Sequence, residues 1–211
     1  MRQLLLLAGL LFGFSAPVAA ATGQTAKQHL LHSLQQLSKH TGFQCDFAQR
    51  IGYADGGSQL YGGQIAVLRP ARFRWHYDSP YEQLYVGDGK VIWHYEPDLM
   101  QAERMDSLDA VDPVVMQLLD GRIKAEAVTL LGFDGVSEGV GRYHVRLGQR
   151  EFWLGLDDAG TLAYIESLDA LGNRNRVMLT GCVFVAPDAK RFSFVPPAGV
   201  DVIDVRSGAG R

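Results

Sequence analysis

Cysteine is nearly absent: Cys45 and Cys182 are the only two in 211 residues. Neither they nor the six histidines show an H-E-x-x-H pattern or a Cys/His metal spacing, which argues against a metal site. No cofactor-binding motif stands out either. No basic block or stripe occurs and the net charge is -3, which argues against nucleic acid as a partner. Past Phe14, no segment approaches the roughly 20 apolar residues of a membrane-spanning helix. Linkers, internal repeats and low-complexity stretches are also missing, so nothing divides the chain after its leader.

That leader is the one long apolar run. Arg2 supplies a positive start and Leu4 to Phe14 carry no charge. Ser15-Ala16-Pro17 then breaks the run, and Val18-Ala19-Ala20 offers small side chains. This order of chemistries predicts a cleavable secretory signal over residues 1–20, with cleavage after Ala20 or, alternatively, Ala21. A single domain is expected over residues 21–211. No cysteine follows the apolar run, so no acyl anchor is expected and the mature chain should be released into the exported compartment. There Cys45 and Cys182 meet oxidising conditions. They are either joined across a long loop or two separate buried thiols, and the sequence does not choose.

The mature region opens on a helical pattern from Ala26 to Leu37, with Leu30, Leu31, Leu34 and Leu37 on one face. The period then changes to two. Phe43, Cys45 and Phe47 alternate with polar neighbours, Gln64 to Arg69 reads as a second strand, and Arg72 to Tyr77 alternates most cleanly. Leu84–Val86 and Val91–Tyr95 flank Gly87-Asp88-Gly89-Lys90, a hairpin signal. The pattern breaks from about Asp106 to Leu131. Inside that break, Asp112-Pro113 caps a short apolar helix carrying Val114, Val115, Leu118 and Leu119. Strands resume over 143–147, 151–156, 162–168 and 174–180, with a last extended piece over 200–205. Many short strands with turns every 8–12 residues predict a large antiparallel sheet, sandwich or barrel.

Few groups here carry chemistry. Gly135-Val136-Ser137-Glu138-Gly139 matches G-x-S-x-G, but a serine hydrolase needs strand, strained turn and helix, and here an alternating strand follows. His76 and His94 sit between aromatic pairs and read as solvated sheet-face residues opposite Phe73, Trp75, Trp93 and Tyr95. Phe47, Phe73, Trp75, Val91, Trp93 and Tyr95 are expected to face inward. A curved sheet too large to be filled by its own side chains leaves a cavity for an apolar ligand.

The ordered string of motifs carries a resemblance. It runs through Phe43 to Gln49, Gly63-Gln64-Ile65-Ala66-Val67-Leu68-Arg69-Pro70, then Phe73-Arg74-Trp75-His76-Tyr77 and Pro80. Val86, Asp88-Gly89, Trp93, Tyr95, Pro97 and Gln101 follow, and Phe192, Phe194, Pro196-Pro197 and Gly199-Val200 close it. This resembles the periplasmic outer-membrane lipoprotein carrier family, LolA, over nearly the whole mature chain. The resemblance implies an α+β, mainly antiparallel β fold: an incomplete, unclosed curved β-barrel with helices covering the open side. It implies a non-enzymatic periplasmic chaperone that shields lipoprotein acyl chains between the inner and outer membranes. Its partners would be acylated lipoproteins as cargo, an inner-membrane ABC lipoprotein-releasing transporter and an outer-membrane lipoprotein acceptor, with the carrier itself a monomer. Arg69 matches the family arginine that gates the lid. Val114, Val115, Leu118 and Leu119 match the lid, Phe73 and Trp75 match the acyl-chain cavity wall, and Phe47 and Trp93 are expected to line the cavity with them. The alternative is a same-fold carrier or sensor of another acylated or polyene lipid.

Overall fold

A computed structural model describes residues 18–106, 117, 120 and 123–206, with side chains from residue 23 onward. Helix α1 (Val18–Lys39) comes first, followed by β1 (Gly42–Gly52), β2 (Ser58–Leu68), β3 (Arg72–Ser79), β4 (Gln83–Asp88), β5 (Ile92–Glu96) and β6 (Gln101–Met105). The second half holds β7 (Val128–Ser137), β8 (Val140–Leu147), β9 (Arg150–Asp157), β10 (Leu162–Leu168), β11 (Arg174–Val183) and β12 (Asp201–Asp204). Among the described residues these strands form one sheet in the order β12-β6-β5-β4-β3-β2-β1-β11-β10-β9-β8-β7. Neighbours are antiparallel except β12, which runs parallel to β6. The outer strands β12 and β7 are not paired with each other, so the sheet stays unclosed.

Helix α1 lies across one face. Ala26, Leu30 and Leu34 recur every fourth residue and are buried, the stripe that a helix packed on a sheet requires. Its contacts run from β8, where His29 Nδ1 lies 2.6 Å from the Tyr143 hydroxyl, to the end of β2, where Arg69 donates to Leu37 and His40 carbonyls. The helix axis rises roughly 17 Å between His29 and His40. Five inter-strand steps would cover roughly 24 Å in a flat sheet. Curvature makes up the difference, together with the long side chains of Tyr143 and Arg69. The concave face under α1 is the apolar core, in which Phe43, Phe47, Ile65, Val67, Phe73, Trp75, Phe152, Leu154, Ile165 and Val177 form one cluster.

The convex face is polar in one half and covered in the other. Over β8–β11, Glu166 is fully buried beneath Arg142 (2.8 Å), Arg176 (Nε 2.6 Å) and Arg174, which balance its charge. Over β3–β5 the C-terminal segment crosses the sheet. A 3-10 turn at Ala189–Phe192 is capped by the Asp188 carboxylate, which accepts from the Lys190 amide at 2.9 Å, and Phe192 is buried.

Two expectations fail on strand faces. Trp93 pairs with Val86, and Tyr95 with Leu84, which puts both on the convex face. There Phe194 contacts their rings at 5.8 and 5.3 Å between centroids. Val91 precedes β5 and closes the β4–β5 turn, its amide donating to the Asp88 carboxylate at 2.9 Å. His94 is the residue turned to the concave side, stacked on Tyr85 at 4.1 Å. His76 lies on the convex face, so the two histidines are on opposite sides of the sheet. Apolarity on β5 misled because both faces of this strand are covered, one by the core and one by the C-terminal segment.

Strands β6 and β7 fall outside the expected set. β7 contains Gly132 and Gly135 and two register shifts against β8, which break its period of two. Ser137 ends β7, and Glu138-Gly139 turns directly into β8; the G-x-S-x-G match is therefore an exposed hairpin and not a nucleophile elbow.

Candidate functional site: the concave apolar wall

The wall is built from β1, β2 and β3 in register. Phe47 faces Gly63, which pairs with Tyr77 on β3; Cys45 faces Ile65, which pairs with Trp75; Phe43 faces Val67, which pairs with Phe73. Alternation along each strand therefore brings Phe47, Phe73 and Trp75 onto one face, as the sequence pattern anticipates. All three are buried. Phe47 packs edge-on to Trp75 at 5.3 Å and to Tyr77 at 5.0 Å, and Trp75 stacks on Tyr77 at 6.0 Å.

Glycine opens the space for one of these rings. A Cβ on Gly87, the β4 partner of Phe73, would fall 2.3 Å from the Phe73 ring. The ring thus lies flat across the glycine backbone, and the Gly87 of the hairpin motif serves the wall as well as the strand end.

Polar atoms on the wall are few. The Tyr77 hydroxyl donates to Gln49 Oε1 (3.0 Å), whose amide donates to Asn175 Oδ1 (2.9 Å). Burial, with the neighbouring Tyr85 and Tyr61 hydroxyls adding to it, raises the Tyr77 pKa well above the usual phenol value, so it stays neutral. Tyr85 is pushed up to about 12 by burial and by the charges of Glu96 and Glu103. The indole Nε1 of Trp75 is buried without a hydrogen-bond partner among the described residues.

Arg69 sits at the end of β2, beside this wall. Its Nη1 donates to the Leu37 carbonyl at 2.6 Å and also to the His40 carbonyl. These are orphan carbonyls at the C-terminal end of α1, where the helix dipole favours a cation. Burial lowers the Arg69 pKa and the charge of Asp120 opposes that shift. Asp120 is itself buried and accepts the Ala71 amide at 2.8 Å. The described bonds of Arg69 thus hold α1. Val114, Val115, Leu118 and Leu119 lie outside the described residues, and Gln117 between them is helical and exposed.

Two clefts open on this side along the edge strand. One of about 540 Å³ runs between α1 and β7, lined by Lys27, Leu31, Val128 and Leu130. The other, about 600 Å³, lies beside Gln117, Ile123 and the β8–β9 turn.

Cys45 and Cys182 are joined, tying β1 to the end of β11. Simple alternation from Val177 and Leu179 would turn Cys182 away from Cys45. A bulge intervenes: Gln44 pairs with Val183 and Asp46 with Thr180, so Gly181 and Cys182 together oppose Cys45. Gly181 takes a positive φ of 59°, which a glycine adopts without strain, and the extra residue swings Cys182 to the core side.

Comparison with known proteins places this wall in a family. Residues 38–195 match the model of the outer membrane lipoprotein carrier protein LolA. An outer-membrane lipoprotein carrier protein of Methylococcus capsulatus is 32% identical over 212 residues, covering 96% of this chain and 97% of the relative. One from Bordetella pertussis is 33% identical over 199 residues, covering 91% and 93%. Among solved structures, a LolA superfamily protein from Nitrosomonas europaea superposes with a TM-score of 0.48 at 16% identity, covering 80% of this chain and 97% of that one. Matched by the family model from before β1 into the C-terminal segment, and aligned with its relatives almost end to end, the chain belongs to the outer membrane lipoprotein carrier family.

Proposed function

We propose that this protein is a periplasmic carrier that shields the acyl chains of lipoproteins on its concave face and moves them from the inner to the outer membrane. The observation that carries the reading is the apolar wall of Phe47, Phe73 and Trp75 under α1, in a chain of a carrier family. Burial is worth about 0.8 kcal/mol per methylene, so one long acyl chain left in water costs on the order of 10 kcal/mol. A carrier must offer a surface of matching apolarity and still let go. Residues 1–20 act as the export signal, and the mature chain diffuses without an anchor.

In this reading Arg69 is the gate. Its bonds to the α1 carbonyls and its charge beside Asp120 link the helix to the segment bearing Val114, Val115, Leu118 and Leu119, which cover the cavity. Cargo comes from an inner-membrane ABC lipoprotein-releasing transporter and goes to an outer-membrane lipoprotein acceptor, without catalysis. Same-fold carriage of another acylated or polyene lipid is the competing reading. The family match favours lipoprotein.

The test is release of lipoproteins from spheroplasts by the purified protein, followed by native mass spectrometry of the complex. A triacylated lipoprotein in the complex is expected. Fully folded protein that releases none, or that carries a different lipid, refutes the reading.

A further inference from the structure

Another cavity, on the convex face, has a polar lining. Its floor is made of small residues. Ala66 on β2 is flanked across the sheet by Gln44 on β1 and Arg74 on β3, and Gly181 lies at the bulge of β11. Long neighbours around small ones leave a hollow of about 340 Å³. Arg191, carried on the 3-10 turn that crosses this face, forms part of its lining.

The turn is fixed in place, with Phe192 buried against the sheet and Asp188 capping its start. Arg191 uses one Nη1 bond to Gln44 (2.7 Å) to hold its position. The Arg74 side chain makes no hydrogen bond or ion pair to any described residue, although it is partly buried. Burial lowers the Arg74 pKa, and the like charge of Arg191 lowers it further. The other lining groups do not answer this charge. His76 commits its two ring nitrogens to Asp78 (3.1 Å) and Glu82 (3.0 Å). Asp46, the single carboxylate of the lining, makes no ion pair with either arginine.

Two guanidiniums lining one hollow, neither of them ion-paired to the Asp46 carboxylate that shares it, form a fork for a tetrahedral oxyanion. We propose that this convex-face cavity is a binding site for a phosphate group, held by Arg74 and Arg191 over the Ala66 floor. The hollow exceeds the size of a bare anion, leaving room for a substituent. The phosphate is therefore either free in solution or part of a phospholipid headgroup. The site is separate from the acyl wall, on the other face of the same three strands.

The experiment titrates inorganic phosphate into the intact mature protein, at chloride-matched ionic strength, and follows amide chemical shifts and the melting temperature. Shifts centred on Ala66, Arg74 and Arg191 and a rising melting temperature are expected. Arg74→Gln and Arg191→Gln should each weaken binding by roughly tenfold, the worth of one charge-assisted bond. Ala66→Leu should block the site by filling it, with both arginines kept. Arg146→Gln, an exposed arginine outside the cavity, should change nothing. Co-sedimentation with phosphatidylglycerol vesicles that depends on Arg74 identifies a headgroup as the source; binding of inorganic phosphate without it identifies the free anion. If neither probe binds, or Arg74→Gln binds as wild type does, the site does not exist. Arg74→Gln should leave lipoprotein release intact, so this proposal and the carrier reading fail separately.

Discussion

Arg69 Nη1 donates to the Leu37 carbonyl at 2.6 Å, and two residues on, the Ala71 amide donates to Asp120 at 2.8 Å. One short connection between β2 and β3 therefore ties the end of α1 to the residue that follows the expected lid helix.

Arg69→Leu removes the charged half of that tie. The α1 carbonyls lose a charge-assisted partner, which should cost about 1–3 kcal/mol of stability by denaturant unfolding. Cargo should still bind, since the wall is untouched, but transfer to an acceptor should slow because the empty closed state is no longer favoured. Transfer at the wild-type rate would remove Arg69 from the gate.

Gly87→Ala tests the wall without touching an aromatic. The added methyl meets the Phe73 ring, which must tilt toward the concave space at a cost of about 1–3 kcal/mol. Cargo affinity should fall with stability. Adding Phe73→Leu should recover part of both, and a double-mutant cycle with no coupling would contradict the contact.

Reducing the Cys45–Cys182 bond, or replacing both cysteines by alanine, should lower stability by about 2–5 kcal/mol. The fold should persist, because the β1–β11 ladder continues over seven further pairs from Asp46 to Gly52. Melting curves with and without reductant decide this; identical curves would mean the bond carries no stability.

Acid should weaken three local carboxylate contacts. Asp169 is held below the ordinary carboxylate value of 3.8 by the Asn173 side chain, and Asp88 by the Val91 amide. Asp204 is lowered to about 2 by its bond to Arg206. These folded-state values are depressed, so the unfolded chain takes up protons first as pH falls. Their contribution is complete above 3.8 and is lost as pH drops through the lowered values, for Asp204 down to about 2. Carboxyl carbon NMR titration reads each directly. An Asp204 midpoint near 3.8 would show that the Arg206 bond does not form in solution.

Much of the sheet was legible because period two is a local property. Phe43, Cys45 and Phe47, or Phe73, Trp75 and Tyr77, share a face whatever surrounds them, and Gly87-Asp88-Gly89-Lys90 announces its hairpin. The same rule failed at β5. The more apolar set, Trp93 and Tyr95, pairs with Val86 and Leu84 and meets Phe194, about a hundred residues later, while Ile92, His94 and Glu96 turn to the concave side. Gln101–Met105 and Val128–Ser137 were missed for want of an apolar alternation strong enough to stand out.

Cysteine, present only twice in the chain, shows where the division falls. From sequence alone came the expectation of an export signal, alternating strands, a glycine-marked hairpin and two cysteines that were free to pair or not. Those signals are local, set by backbone geometry over a few residues. The pairing itself needed β1 beside β11 and a bulge at Gly181 to turn Cys182 inward. The bonds of Arg69 to the end of α1, the convex position of Trp93 and the Arg74–Arg191 hollow likewise join segments far apart in the chain. Only the folded sheet brings those segments within reach, because such contacts depend on register and curvature summed over many strands.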